Sequence, residues 1–220
     1  MKRYIATLLL LAACASVQAR EVFPLNEGWR FFFKSENSSD NARHVTLPHT
    51  WNTDTGACGY FLETTANYQN DMYVPAEWAS KRLFVKFYGV QNVADLFVNG
   101  YHVGEHRGGF TAFTFEITGR VKFGAENRLL VVVSNTFQND VLPTSTEQNV
   151  YGGIYRDVDL ILTDRVAVSP TVWGTDGLFV EQVSVDDDAV EGRAAVYVSA
   201  PKDCQGMITL TVRDPDGYVV

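Results

Sequence analysis

The chain has 220 residues and a formal net charge of −8, with 46% hydrophobic and 20% charged residues. That length allows one full domain and part of a second, and the composition is that of a soluble globular fold that can bury a core without staples. The acidic balance and the absence of any basic block argue against nucleic-acid binding and against attraction to an anionic membrane.

Residues 1–19 read as an export signal. Lys2-Arg3 forms the positive region, Ile5 to Leu11 the apolar stretch, and Val17-Gln18-Ala19 a small-residue cleavage site. The apolar stretch is shorter than the ~20 residues a membrane-spanning helix needs. A second reading stays open beside it: Leu11-Ala12-Ala13-Cys14 resembles a lipobox, so that the signal ends before Cys14 and Cys14 carries lipid as the one tie to a membrane. Both readings predict an exported chain, periplasmic, at the cell surface or secreted. Cys58 and Cys204 fall in different predicted domains, and nothing electropositive adjoins either one, so neither a disulfide nor a reactive thiol is expected.

The rest reads as short strands with turn punctuation. Asn26-Glu27-Gly28 turns the chain into an aromatic strand from Trp29 to Lys34, followed by a polar loop from Ser35 to Arg43. Val45 to Leu47 leads to Pro48, which bars a central strand, and Trp51 is expected to pack under the loop. A long loop is predicted from Asn52 to Asn67, then a strand from Tyr68 to Val74. Lys81 to Tyr88 alternates, with Leu83, Val85 and Phe87 facing one way and Arg82, Phe84, Lys86 and Tyr88 the other. Asn99-Gly100 suits the two-residue type I′ turn of a hairpin, because both central residues need positive φ. Thr111 to Ile117 is a strand with Phe113 and Phe115 on one face, and the run Leu129 to Val133 predicts a strand buried on both faces.

Tyr151-Gly152-Gly153 makes a tight turn, and Ile154 to Leu162 alternates as a half-buried strand. After Asp164 the pattern restarts, with candidate strands at Val166–Val168, Leu178–Val180, Ala195–Val198 and Ile208–Val212. No long segment has helical periodicity. The sum is an all-β antiparallel two-sheet sandwich followed by the start of another.

Chemistry-bearing residues gather before the glycine turn. Glu147, Asn149 and Tyr151 put an acid, an amide and an aromatic on one strand mouth, where binding residues commonly sit; an ordinary β-turn feeding a sheet strand is the plainer reading. Arg156 and Asp157 point to opposite faces of a strand and cannot pair with each other; Arg156 is expected to reach a carboxylate at the domain junction. His102 and His106 lack the further ligands a zinc site wants. No glycine-rich phosphate loop precedes a helix, and the Ser/Thr cluster around Pro143 has no neighbouring histidine, so neither a nucleotide site nor a serine triad is supported.

Four runs, in order, resemble the signatures of the family 2 glycoside hydrolases: Leu47-Pro48-His49-Thr50-Trp51-Asn52; Gly89-Val90-Gln91-Asn92-Val93-Ala94 through Val98-Asn99-Gly100; Gly104-Glu105-His106-Arg107-Gly108-Gly109-Phe110-Thr111-Ala112-Phe113; and Tyr151-Gly152-Gly153-Ile154-Tyr155-Arg156-Asp157-Val158. The resemblance implies a galactose-binding-like jelly-roll sandwich over residues 20–165 and a partial immunoglobulin-like β-sandwich over 166–220, about half of the ~100 residues such a domain needs. It implies a retaining mechanism with two glutamates on a (β/α)₈ barrel of roughly 250 residues. No helix–strand alternation offers that barrel here, so no catalytic residue is assigned and the chain alone is expected to be inactive.

The resemblance also implies that an acid before the turn, Glu147 where an aspartate is common, reaches the active site and holds sugar, in some members beside a cation; a monovalent or divalent cation near Glu147 is the only cofactor expectation. Asn149 would donate to a sugar hydroxyl, and Tyr151 is a rim aromatic together with Tyr60 and Phe61. Gly108-Gly109-Phe110 resembles a loop that touches the neighbouring domain. The expected function is the N-terminal portion of a β-galactosidase-like enzyme that hydrolyses O-glycosyl bonds, with carbohydrate and the catalytic barrel as partners. A free-standing carbohydrate-binding module and a structural surface sandwich are the alternatives.

Overall fold

Turns rich in glycine and proline cut the chain into segments of period-two hydrophobicity, and such segments bury their apolar faces only by pairing into sheets that then stack. The computed structural model describes residues 20–36, 41–54, 62–144, 151–186, 190–202 and 207–219. Its strands are β1 (Arg20–Pro24), β2 (Trp29–Phe33), β3 (Arg43–Val45), β4 (Thr65–Val74), β5 (Arg82–Phe87), β6 (Val93–Val98), β7 (Tyr101–Arg107), β8 (Phe113–Glu116), β9 (Ala125–Ser134), β10 (Val158–Thr163), β11 (Ala167–Val168), β12 (Leu178–Val185), β13 (Val190–Val196) and β14 (Val198–Ser199). Among the described residues one α-helical turn, α1 (Trp51–Asp54), and 3-10 turns at Lys34–Glu36 and Ala76–Ser80 interrupt them.

A six-stranded sheet in the order β3-β2-β4-β9-β6-β7 faces a four-stranded sheet in the order β1-β10-β5-β8. Every pairing in both is antiparallel. The core lies between them. Trp29 and Phe31 of β2, Tyr68 of β4, Leu96 of β6 and Val131 of β9 meet Leu83, Val85 and Phe87 of β5 and Leu160 of β10. Asn70 is buried on the same face as Tyr68, and its amide donates to the Glu27 carbonyl at 2.8 Å, which gives this inward amide a partner.

The Asn99-Gly100 hairpin is as the sequence predicts, with φ of +51° and +83° at its two turn residues. The Asn99 amide reinforces the turn by donating to Arg120 O and to Asn127 Oδ1, both at 2.8 Å.

Several expectations are corrected. The loop predicted from Asn52 to Asn67 contains the end of α1 and the first residues of β4, which begins at Thr65 and pairs with β9 along its whole length. β9 is not buried on both faces: Leu129, Val131 and Val133 are buried while Leu130 and Val132 are half-exposed, because only one side of the six-stranded sheet is covered. β5 keeps the expected alternation, with Leu83, Val85 and Phe87 in the core, but its second face is covered too. Phe84 and Lys86 are buried as well as Leu83, Val85 and Phe87, since the segment after Asp164 folds back over the outer face of the four-stranded sheet. Ile154 belongs to the turn and not to a strand, which starts at Val158. Ile208–Val212 forms no strand; near it Arg213 and Val219 make an isolated bridge.

Polar clamps hold the second segment to the first. Arg20 reaches Asp176 at 2.9 Å and the Val168 carbonyl at 3.1 Å, and Arg82 donates to Ser199 Oγ at 2.8 Å. Beyond the clamps the packing is thin. β12 and β13 pair with each other alone, and Val180, Val185 and Val190 of that ladder are exposed. Strands with few buried contacts open locally at low cost. Limited trypsin digestion followed by mass spectrometry is therefore expected to cut after Arg193 and Arg213 before it cuts within the strands of the two large sheets.

Candidate functional site

The Leu47–Asp54 segment and the Tyr151–Ile154 turn meet at one end of the sandwich and interlock through the backbone. His49 N donates to Ile154 O at 2.8 Å, Thr50 Oγ1 donates to Gly152 O at 2.8 Å, and Gly152 N donates to Asn52 Oδ1 at 2.8 Å. This approach needs glycine at both positions. A Cβ on Gly152 would lie 1.8 Å from the fully buried Trp51 ring, and one on Gly153, whose φ is +133°, would lie 2.5 Å from His49 O.

A polar chain lies under the turn. His49 Nδ1 is 2.7 Å from Tyr68 Oη, and His49 Nε2 is 2.9 Å from Asp54 Oδ2, which Arg43 approaches at 3.4 Å. Burial pushes the Tyr68 phenol far above its ordinary value, and its oxygen accepts from the Ile154 N–H. The phenol therefore keeps its proton, and the His49 ring, bonded at both nitrogens, links it to Asp54. The chain holds the turn from beneath.

The Gln91-Asn92 pair and the Gly108-Gly109 turn converge on the same place. Gln91 N donates to Gly153 O at 3.0 Å, and Gly108 N donates to Asn92 O at 2.9 Å. The Gln91 side chain fills the space where a Gly109 Cβ would be, 2.1 Å from its oxygen, and Tyr155 Oη donates to Gly109 O at 2.5 Å. Gln91 Nε2 and Asn92 Oδ1 are buried with no hydrogen-bond partner among the described residues. A buried polar atom left in that state costs about 1–3 kcal/mol, so this pair of amides is a place where a further hydroxyl would be welcome.

Arg107 makes a forked contact with Asp140, at 2.6 and 3.0 Å, and so ties the end of β7 to the chain that leads toward Glu147. The Arg107 guanidinium holds the Asp140 carboxyl below the usual carboxylate range.

Tyr151 stands at this rim, 55% exposed, as an aromatic there must be if it is to meet a ligand. Glu147 and Asn149 lie outside the described residues, as do Tyr60, Phe61, Cys14, Cys58 and Cys204, so the cation expected near Glu147 has no geometry here. Among the described residues no group of three or more His, Cys, Asp or Glu side chains could hold a metal ion. Among the described residues Arg156 pairs with no carboxylate; its guanidinium lies over the Tyr155 ring, 5.5 Å from the centroid, while Asp157 accepts from the Asn26 amide at 2.9 Å. His102 pairs with Asp95 at 2.8 Å on the exposed face of its hairpin. In the sequence Gln91 and Asn92 stand out only as part of a motif, and two adjacent amides after Gly89-Val90 are the signal that points to them.

Residues 24–164 match the family described as glycosyl hydrolases family 2, sugar binding domain. The chain is 39% identical over 97% of its length to a beta-glucuronidase of Bacteroides fragilis, and 28% identical over 91% of its length to a beta-galactosidase of Thermoanaerobacter pseudethanolicus. It spans 30% of the first relative and 28% of the second. The crystal structure of a Bacteroides uniformis beta-glucuronidase superposes on 91% of this chain and on 25% of its own, with a TM-score of 0.79 and 30% identity.

Two outcomes follow from the geometry. Gly152→Ala drives a methyl into the Trp51 ring and is expected to cost about 3 kcal/mol by overpacking, read as a fall in the urea midpoint. Tyr68→Phe removes a hydroxyl bonded to both His49 Nδ1 and the Ile154 N–H, and should cost about 1–2 kcal/mol in the same measurement.

Proposed function

The chain belongs to family 2 of the glycosyl hydrolases, and on that premise we propose that it is the sugar-side scaffold of a β-galactosidase-like enzyme, a wall of the active site without the machinery that breaks the bond. The observation that carries this reading is the rim itself, where the turn that bears Tyr151 and the Gly108-Gly109 turn close around the buried amides of Gln91 and Asn92. An exposed aromatic offers a face to a pyranose ring, and amide groups exchange hydrogen bonds with its hydroxyls. Glu147 and Asn149, on the loop that leads into the rim, complete the proposed sugar contacts, with a cation beside Glu147 as the one candidate cofactor.

The two carboxyl groups of a retaining glycosidase lie about 5 Å apart. We place them on a barrel domain outside these 220 residues. Residues 166–220 are read as part of the adjoining immunoglobulin-like sandwich. Export is part of the proposal, on the strength of Lys2-Arg3 and the apolar stretch after it. A β-glucuronide is the second reading of the substrate, favoured by the 39% identity to a protein described as a beta-glucuronidase.

The test is an assay of the purified 220-residue chain against nitrophenyl β-galactoside and β-glucuronide, with galactoside binding followed by calorimetry. No turnover is expected with either substrate, together with weak galactoside binding that Tyr151→Ala reduces about fivefold, the loss expected for one stacking contact. Turnover by this chain alone would overturn the scaffold reading.

A further inference from the structure

Trp173 stands out on the far side of the Gly108-Gly109 turn. Its indole is 75% exposed, yet its backbone is held at a φ of +51°, a conformation that is costly for a bulky residue and persists only where the surroundings over-determine it. The surroundings do so. Val172 O accepts from Thr175 N at 3.0 Å and from Thr175 Oγ1 at 2.7 Å, closing the turn around the indole. Gly174 is pressed so tightly to the chain entering β8 that a Cβ on it would lie 2.4 Å from Ala112 O. Phe179 meets the indole at 76°, with ring centroids 5.6 Å apart. A large apolar ring is thus fixed in place with most of its surface left to solvent.

The indole walls an open cleft of about 460 Å³. That volume lies within the range of small-ligand sites. Across from it His106 stacks flat on Phe113, with centroids 4.0 Å apart, and bonds Thr111 Oγ1 at 3.2 Å. Thr114 and Thr171 add hydroxyls to the lining, and Thr114 Oγ1 is buried without a hydrogen-bond partner among the described residues. No lining side chain carries a permanent charge. Burial pushes the His106 imidazole below its ordinary value, so it is neutral at pH 7. Lys86, opposite Thr114 on β5, is turned to the Tyr88 ring and to Asp176.

We propose that this cleft, walled by Trp173 and lined by Thr111, Thr114, Thr171 and His106, is a second carbohydrate subsite that takes a neutral pyranose. The C–H face of the sugar lies on the indole and its hydroxyls meet the threonines. The class of ligand rests on the carbohydrate reading above; the location does not. A carboxylated sugar is disfavoured, because the cleft offers no cation to pair with it.

Tryptophan emission of the 220-residue chain during titration with methyl β-D-galactopyranoside tests this. Trp29 and Trp51 are fully buried and Trp78 is packed against Phe23, so the exposed Trp173 reports on its own surroundings. A blue shift and protection from acrylamide quenching are expected. Affinity measured by calorimetry should fall about tenfold in Trp173→Ala and about threefold in Trp173→Phe, which keeps a smaller ring, with methyl β-D-glucuronide binding at least tenfold more weakly than the galactoside. Thr114→Val keeps the shape of the side chain and should weaken binding about threefold, so the proposal stays testable if Trp173→Ala fails to fold. No shift on titration, an affinity unchanged in both the Trp173 and Thr114 variants, or a preference for the glucuronide would each overturn the proposal. Binding lost in Tyr151→Ala but intact in Trp173→Ala would assign the sugar to the rim alone, which overturns the second subsite and leaves the first reading standing.

His106 carries an independent check on the lining. Its folded pKa is depressed below 6.5, so the neutral imidazole contributes stability above that pH, and the contribution is lost as the pH falls further. Thr111 Oγ1, the Phe113 ring and the Gly108 backbone are the groups facing it, and none is anionic. The thermal midpoint should fall on acidification below about pH 6.5, and less steeply in His106→Asn, in scans from pH 7 to 5. A steeper fall in the variant would show that the imidazole faces a carboxylate, and the uncharged cleft would then be wrong.

Discussion

The contact between Gly152 and the face of Trp51 is the constraint on which the end of the sandwich depends. Two segments about a hundred residues apart in sequence can share one hydrogen-bond set only if their backbones come closer than any Cβ permits. The glycine supplies the gap and the buried indole fills it. Once that contact is made, the directions of Thr50, Asn52, Gln91 and Tyr155 are settled by their bonds to the turns around them.

Beneath the turn, the His49–Tyr68–Asp54 chain shows how a polar network braces a site from below. Each ring nitrogen has a partner and the phenol is kept protonated by its burial. What such a network supplies is a rigid floor. The groups left with spare hydrogen-bonding capacity, Gln91 Nε2, Asn92 Oδ1 and Thr114 Oγ1, lie instead along the two sides of the Gly108-Gly109 turn. That turn separates the Tyr151 rim from the Trp173 cleft, and both faces combine an exposed aromatic with neutral polar atoms.

The segment after Asp164 has a double character. Its first part, through Asp176, packs on the outer face of β5 and explains why Lys86 is buried despite its charge: Asp176 and the Tyr88 ring compensate the ammonium there. Its later part leaves valines open on the β12–β13 ladder. The chain is thus well tied where it meets the sandwich and loosely held beyond that point.

Period-two hydrophobicity, the Asn-Gly pair and the double glycine were enough, by themselves, to determine an antiparallel sandwich, the β6–β7 hairpin and a tight turn at Tyr151, because each depends on local backbone preference and on which face a side chain takes. Four ordered runs were likewise enough to place the chain in its family. The sequence does not show which alternating strands are covered on their second face: β9, expected to be buried on both, is covered on one, while β5 keeps its alternation and is covered on both. Nor did it show that Gln91, Asn92 and Thr114 would be buried short of partners, or that Trp173 would stand over a cleft. Those are properties of contacts between residues distant in the chain. Burial of a side chain depends on what packs over it, and only the folded arrangement of the two sheets and the segment laid across them decided that.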